Sequence, residues 1–354
     1  MVGTGDPWSP PLVRNAPRRI VSVPLATALI AGAGLGCDYR SSATSPDPGW
    51  DAGAQDLGDP GVDAVRLPDV TMTWHAPDGG AYVGPHGGSV DLLRFAAFGD
   101  VRPPNQDDTA NYPSAIVASV MDGIATLGVP FAVASGDYMF AATRNEAGVN
   151  AQLDLLLAAE SRYAGRVFHA LGNHECTGAT ASNCPLGNET PNVRAFHDRL
   201  ASDYPMPWFD FVVQTSRGDA HFIATAPNAW GPQQAAWLAS ALQQPALYTI
   251  VIAHEEPGPS QGPGSLPIED AIRARPGGVT LRIYGHSHTY DHPAANAVVT
   301  GNGGAPLSNG RGAYGFVGVV QREDANLVVT AYEIGTPPMV ADSFVLTPGG
   351  ALTR

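Results

Sequence analysis

Five short apolar runs, each ending in polar residues that include Asp, Asn or His, constrain this chain more than any other feature. They cover residues 92–98, 131–135, 166–171, 247–253 and 279–284, and their length with their β-branched and aromatic content predicts strands. Between them, apolar residues recur at helical spacing over residues 114–127, 149–163, 193–204 and 233–243. Strands alternating with helices predict a layered α/β fold, in which ligands lie at the carboxyl ends of the strands.

The tails of the runs read Gly99-Asp100, Gly136-Asp137, Gly172-Asn173-His174-Glu175, His254-Glu255-Glu256 and Gly285-His286-Ser287-His288. Any one of them reads as a turn, because Gly and Asp are default turn residues. Together they put two aspartates, one amide and four imidazoles, with three glutamates beside them, on one rim. Desolvating so many polar groups is too costly for a purely structural role, so the set predicts a metal centre.

Composition narrows the classes. The 354 residues, 44% hydrophobic, suffice for one large domain and a tail. A formal net charge of −14 repels a nucleic-acid backbone and excludes a nucleic-acid scaffold. All 19 basic residues are Arg, so neither Schiff-base chemistry nor a phosphate-loop lysine is available. The glycine-rich stretch 301–312 has no helix pattern after it and reads as a loop.

At the N-terminus, Arg14, Arg18 and Arg19 precede an uncharged apolar run, 20–36, that ends at Cys37. This is the pattern of an export signal, of lipoprotein type if Cys37 is lipidated; a single membrane anchor is the alternative, the run being about as long as the shortest spans. The expected organisation is a signal at 1–37, a Ser, Pro, Gly and Asp-rich linker at 38–68, and a folded domain at 69–350. The chain is expected outside the cytoplasm, as a monomer touching membrane only through Cys37. Cys176 and Cys184 remain to close a short loop, with Gly178, Asn183 and Pro185 marking it as exposed. A disulfide is preferred there over two free thiols or an incomplete zinc pair.

The ordered tails resemble the motifs of the calcineurin-like metallophosphoesterase superfamily, which includes purple acid phosphatases. The resemblance implies a four-layer fold: two mixed β-sheets packed as a sandwich and flanked by helices. It implies two metal ions, zinc, iron or manganese, with Asp137 bridging them, Asp100 and His288 on the first, and Asn173, His254 and His286 on the second. His174 is then the acid that ligates neither. The implied activity is hydrolysis of phosphoesters, monoesters ahead of diesters, by a metal-activated water. Two cations about 4 Å apart lower the pKa of water between them and hold the phosphoryl oxygens. A carboxylate suits the bridge because it offers two oxygens and a negative charge, and imidazoles favour these metals over calcium.

One motif departs from the family. Many members carry Asp-x-His first, whereas this chain reads Asp100-Val101-Arg102, and a guanidinium cannot ligate a metal. Purple acid phosphatases bring a Tyr three residues after the second Asp, where this chain has Phe140; Tyr138 has the wrong spacing. The first ion is therefore expected to be under-coordinated, weakly held or completed by water. Arg102 reads either as a fork for substrate phosphate or as a surface partner of Asp107 or Asp108. The alternative function is a catalytically impaired metal-binding protein of the same fold, though His174 favours the enzyme.

The remaining candidates read plainly. His169 is expected in the core or at a sheet edge, and His75, His86, His197 and His221 outside any constellation. Glu175 is expected to orient His174 or a ligand; Glu255 and Glu256 read either the same way or, preferred here, as residues of a solvated loop. Asp291 and His292 read as turn residues, and Trp230 and Trp237 as packing with Leu238 and Leu242. Alternation over residues 312–346 predicts antiparallel strands that finish the second sheet. Specificity is assigned to the loops 103–113, 140–149, 176–190 and 255–267, in which no pattern names a substrate.

Overall fold

Every residue of Phe131–Ala134 and Tyr248–Ile252 is buried, as is Arg94–Phe98 beyond its first position. Strands apolar on both faces must be covered on both, which demands layers on either side of each sheet. The structure, a computed structural model, describes residues 82–176, 183–310 and 312–353. The export segment, Cys37, the 38–68 linker, the domain start at 69 and His75 lie outside these residues.

In chain order the strands are β1 (Tyr82–Gly84), β2 (Gly87–Ser89), β3 (Arg94–Phe98), β4 (Phe131–Ala134), β5 (Arg166–His169), β6 (Phe209–Gln214) and β7 (Ala220–Ala224). They continue as β8 (Tyr248–Ile252), β9 (Leu281–Tyr284), β10 (Tyr290–Ala294), β11 (Ala297–Thr300), β12 (Gly315–Gln321), β13 (Leu327–Glu333) and β14 (Met339–Leu346). One sheet runs β1-β2-β6-β7-β8-β9-β11-β10 and the other β14-β13-β12-β3-β4-β5. Both are mixed: β3, β4 and β5 are parallel neighbours, as are β7, β8 and β9, while β12 to β14 pair antiparallel.

The helices are α1 (Ser114–Thr126), α2 (Glu146–Glu160), α3 (Pro191–Leu200), α4 (Pro232–Ala241) and α5 (Ser265–Ala274). Asn145 caps α2 by accepting from Gly148 N, and Thr190 caps α3 by accepting from Val193 N. Period-two alternation assigns the layers. From β3, Phe95 and Ala97 enter the space between the sheets with Phe131, Phe168, Phe211 and Phe222. Ala96 and Phe98 instead meet Val117, Val120 and Met121 of α1 and Leu153 and Leu156 of α2. On the other sheet, Ile223 and Val251 pack on Leu238, Leu242, Ile268 and Ile272 with Trp230 and Trp237 alongside. The order is helices, sheet, sheet, helices, the four-layer sandwich expected.

Strands β1, β2, β6, β7, β10 and β11 lie outside the predicted runs. β2 is only Gly-Gly-Ser, and β10 has no buried residue and contains Pro293, so neither carries an apolar signature. Helix α5 begins inside the stretch expected to be loop, since Pro267 falls in its first turn, where a missing N–H leaves no bond unmade. His169 is buried with its Nε2 2.8 Å from Glu160 Oε1, a core histidine. Among the described residues no helix is long and apolar enough to cross a membrane.

The aromatic rings pin the sheets together. Phe222 is fully buried, stacked on Phe211 at 4.8 Å and edge-on to Phe95 and Phe131 at 5.0 and 5.3 Å. Phe222→Ala is expected to lower folding stability by about 3–5 kcal/mol, read from the shift of a denaturant midpoint.

Candidate metal centre

All five tails meet at one end of the sandwich. Backbone bonds join them in pairs: Asp100 N to Gly136 O at 2.9 Å, Val101 N to Asp137 O at 3.0 Å and Gly285 N to His254 O at 2.8 Å. Two further contacts cross between the sheets. His254 Nδ1 lies 2.9 Å from Ser135 O, and His286 N donates to Asp100 Oδ2 at 2.8 Å.

The backbone here is strained. Asp100, Asp137, His286 and His288 have φ of 56°, 61°, 68° and 48°, four of the six non-glycine residues with positive φ among those described. Each such residue stores about 1–3 kcal/mol, retained only where its surroundings hold it. Close packing does that holding. Gly136 itself has φ of 116°, and a Cβ on Gly172 would stand 2.4 Å from Asp137 N.

Glu175 ties two tails together: its carboxylate accepts from Gly172 N at 2.8 Å, Asp137 N at 3.0 Å and Tyr138 N at 2.7 Å. Burial and the nearby Asp137 raise it to about 7. Its partner is therefore the backbone that carries Asp137.

Around Asp137 the lone pairs converge. Asn173 Oδ1 is 2.9 Å from both His254 Nε2 and His286 Nδ1, those nitrogens are 3.3 Å apart, and Asp137 Oδ1 is 3.2 Å from His254 Nε2. Ser135 O only accepts, so His254 Nδ1 carries the hydrogen, and Nε2 of the neutral ring points a lone pair at three others. Such a cluster needs a cation. A tetrahedral ion with bonds of about 2.0–2.1 Å has ligands roughly 3.3 Å apart, the spacing found here.

A second position adjoins it. His288 Nδ1 lies 2.9 Å from Pro306 O, which turns the Nε2 lone pair towards Asp100 Oδ1, 3.6 Å away. Asp100 Oδ1 and Asp137 Oδ2 are buried without a hydrogen-bond partner. Ligand atoms of Asp137, His254 and His286 lie within 4.8 Å of one another, as do those of Asp100, Asp137 and His288. Asp137 belongs to both groups, and the donors fit two adjoining ions.

Electrostatics without ions show what ions replace. Burial pushes Asp100 up to about 8, with Asp137 adding to it. Burial lowers His254, but Asp137 overrides this and lifts it to about 10. Asp137 is well below the usual carboxylate range, because His254 and His174 outweigh its burial. A proton on His254 balances Asp137, and an ion taking that lone pair displaces it.

His174 and Arg102 belong to neither group. His174 Nε2 is 3.7 Å from Asp137 Oδ2, burial lowers the ring to about 4, and it stands edge-on to Phe140 at 4.3 Å. Arg102 places Nε 3.5 Å from Asp137 Oδ2 and Nη2 3.2 Å from His288 Nε2, over the Phe140 ring. It is not paired with Asp107 or Asp108, which accept instead from Asn145 and Ala142 and from Asn111 and Asn105. The Tyr138 hydroxyl lies in the core, 2.9 and 2.8 Å from the carbonyls of Ala134 and Ala170.

Several neighbours differ from expectation. Glu255 is buried and accepts from Gly262 N, so it is not solvated, while Glu256 accepts from Ser287 Oγ at 2.9 Å. His292, expected in a turn, lies in β10 and stacks on Phe344, whereas His221, paired with Asp210 at 2.8 Å, His197, 2.7 Å from Tyr204 O, and His86, edge-on to Tyr204, stand outside the centre as expected. The glycine-rich loop proves to be a buttress: Gly303 N bonds Gly99 O, Ala305 N bonds Asp100 O and Ser308 N bonds His288 O. Its glycine density was the sole sequence signal, because backbone groups of any residue type make these bonds.

A family model described as calcineurin-like phosphoesterase matches residues 93–290. The chain belongs to the calcineurin-like phosphoesterase family. This is a family of dinuclear metal-dependent phosphoric ester hydrolases. The phosphoesterase fold is similar to that of the purple acid phosphatase PPD1 from yellow lupin (Lupinus luteus) seeds, at 16% identity and TM-score 0.52. That match covers 73% of this chain and 54% of the lupin protein, so the chain spans about half the lupin protein's length. A dimetal phosphatase from Danio rerio gives 12% identity and TM-score 0.51 over 73% of this chain and 99% of its own. PhoD gives 12% and 0.51 over 75% and 72%. No curated protein sequence matches.

Chelation is expected to lower the thermal midpoint and added zinc or manganese to restore it, with a stability gain of about 4 kcal/mol when free ion exceeds its Kd 1,000-fold. An unchanged midpoint in calorimetry would count against the metal centre. Glu175→Gln is expected to weaken ion binding about 10–100-fold, measured by competition with a chelating dye.

Proposed function

We propose that this phosphoesterase hydrolyses phosphomonoesters outside the cytoplasm, with two zinc, iron or manganese ions held by Asp100, Asp137, Asn173, His254, His286 and His288. The observation that carries the proposal is the convergence of lone pairs on two adjoining positions that share Asp137, beside a histidine that belongs to neither. When bound, such a pair supplies a water of lowered pKa and a hold on the phosphoryl oxygens.

The chain's own residues divide the remaining tasks. Asp137 offers one oxygen to each position, and His174 N fixes that carboxylate by donating to Oδ1 at 3.0 Å. Burial keeps the His174 ring neutral at physiological pH, so it arrives at the substrate as a hydrogen-bond donor. A phosphate beside it favours the protonated ring, which can then protonate the leaving oxygen. Phe140 packs against both His174 and Arg102. Arg102 adds a fixed positive charge, which attracts a monoester dianion more strongly than a diester monoanion.

Placement outside the cytoplasm is supported by the disulfide joining Cys176 to Cys184 and by the export-like pattern that ends at Cys37. The second reading, a binding protein without turnover, is favoured by the contact of Arg102 with His288.

Turnover of a chromogenic monoester and of the corresponding bis-ester separates the readings. Activity on the monoester, lost in Asp137→Asn, is the expected result; metal bound without turnover of either ester favours the binding protein. His174→Ala is expected to lower kcat about 100–10,000-fold. The loss should be larger for an alkyl ester than for a nitrophenyl ester, whose leaving group needs no proton, and equal losses would remove His174 as the acid.

A further inference from the structure

We propose that Arg102 is a built-in competitor for one of the two ion positions, so that the centre takes its second ion only by displacing a guanidinium. The inference rests on the metal-centre reading above and makes the two positions unequal.

The contact with His288 carries it. Nδ1 of that ring faces the Pro306 carbonyl, which can only accept, so Nε2 presents a lone pair. Arg102 Nη2 lies 3.2 Å from Nε2, and a guanidinium only donates; the bond therefore uses the lone pair that an ion would need. The same guanidinium sets Nε 3.5 Å from Asp137 Oδ2 as an ion pair, and both atoms are buried without a hydrogen-bond partner. It is anchored there by Nη1, which donates to Pro103 O at 3.0 Å, and by the Phe140 ring beneath it. Phe140 offers no oxygen to compensate an ion for a lost ligand.

The other position is different. Asn173 Oδ1, His254 Nε2 and His286 Nδ1 face one another directly, and no guanidinium contacts them among the described residues. Charge reinforces the asymmetry. With Asp100 and Asp137 ionised, Arg102 and one divalent ion already exceed the negative charge by one. A second divalent ion adds two more beside a cation that is always protonated, unless Arg102 withdraws. The ions therefore enter in order: the histidine and asparagine cage first, the Asp100 and His288 position second and weakly.

The test is a metal titration of chelator-stripped protein with zinc or manganese, followed by calorimetry and by elemental counting after desalting. Wild-type protein should keep one ion through desalting and bind a second about tenfold or more weakly. Arg102→Ala should tighten the second ion by about tenfold or more and leave the first within about twofold. Arg102→Leu, which also removes the fixed charge and supplies no ligand, should act in the same direction and decides the matter if the alanine variant fails to fold. Two ions retained with equal tightness by the wild type, or a second ion indifferent to both substitutions, would overturn the proposal and leave the metal centre standing. Protein that binds no ion would overturn both.

Discussion

A carboxylate buried as deeply as Asp137 is tolerable only if its surroundings supply the positive charge that water otherwise provides. Much of the site follows from that constraint. His254 faces one oxygen, Arg102 and His174 lie near the other, and Glu175 grips the backbone amides on either side of its Cα. The left-handed backbone at Asp137, Asp100, His286 and His288 is held by the same network, because each strained residue has a neighbour bonded to a backbone group or side chain beside it. Strain and buried charge are thus compensated together by an assembly that no single strand could supply.

The sandwich makes this possible because it brings carboxyl ends from both sheets to one place. β3, β4 and β5 deliver Asp100, Asp137 and Asn173, while β8 and β9 deliver His254 and His286. The aromatic cluster between the sheets, built on Phe95, Phe131, Phe211 and Phe222, sets their spacing and so sets the distance across which those donors meet. A shift of about an ångström between the layers would open the cage beyond ligand range, which is why the donors sit within about four residues of rigid strand ends.

Arg102 and Phe140 together shape one side of the centre. Beside His288 stands a permanent cation, and beneath that cation a ring that offers no oxygen. The two side chains contact each other, with the guanidinium 5.0 Å over the ring centroid, so the ring helps to hold the cation beside the site. The outcome is a pair of positions unlike in donors and in charge, beside a His174 whose ring packs on the same Phe140.

The residues themselves determined the layered class and the donor set, since strands that end in Asp, Asn and His announce themselves by period and by residue type. The same was true of the alternating strands β12 to β14 and of the buried His169. Weak strands such as β2 and β10 were illegible because they are glycine-rich or exposed, and α5 because Pro267 resembles a break. What only the tertiary structure decided was where Arg102 points, what Glu175 and Glu255 hold, and that the loop after β11 supports Asp100 and His288. Those outcomes depend on backbone carbonyls and amides from distant segments, which every residue carries alike and which acquire direction only once the sheets have packed.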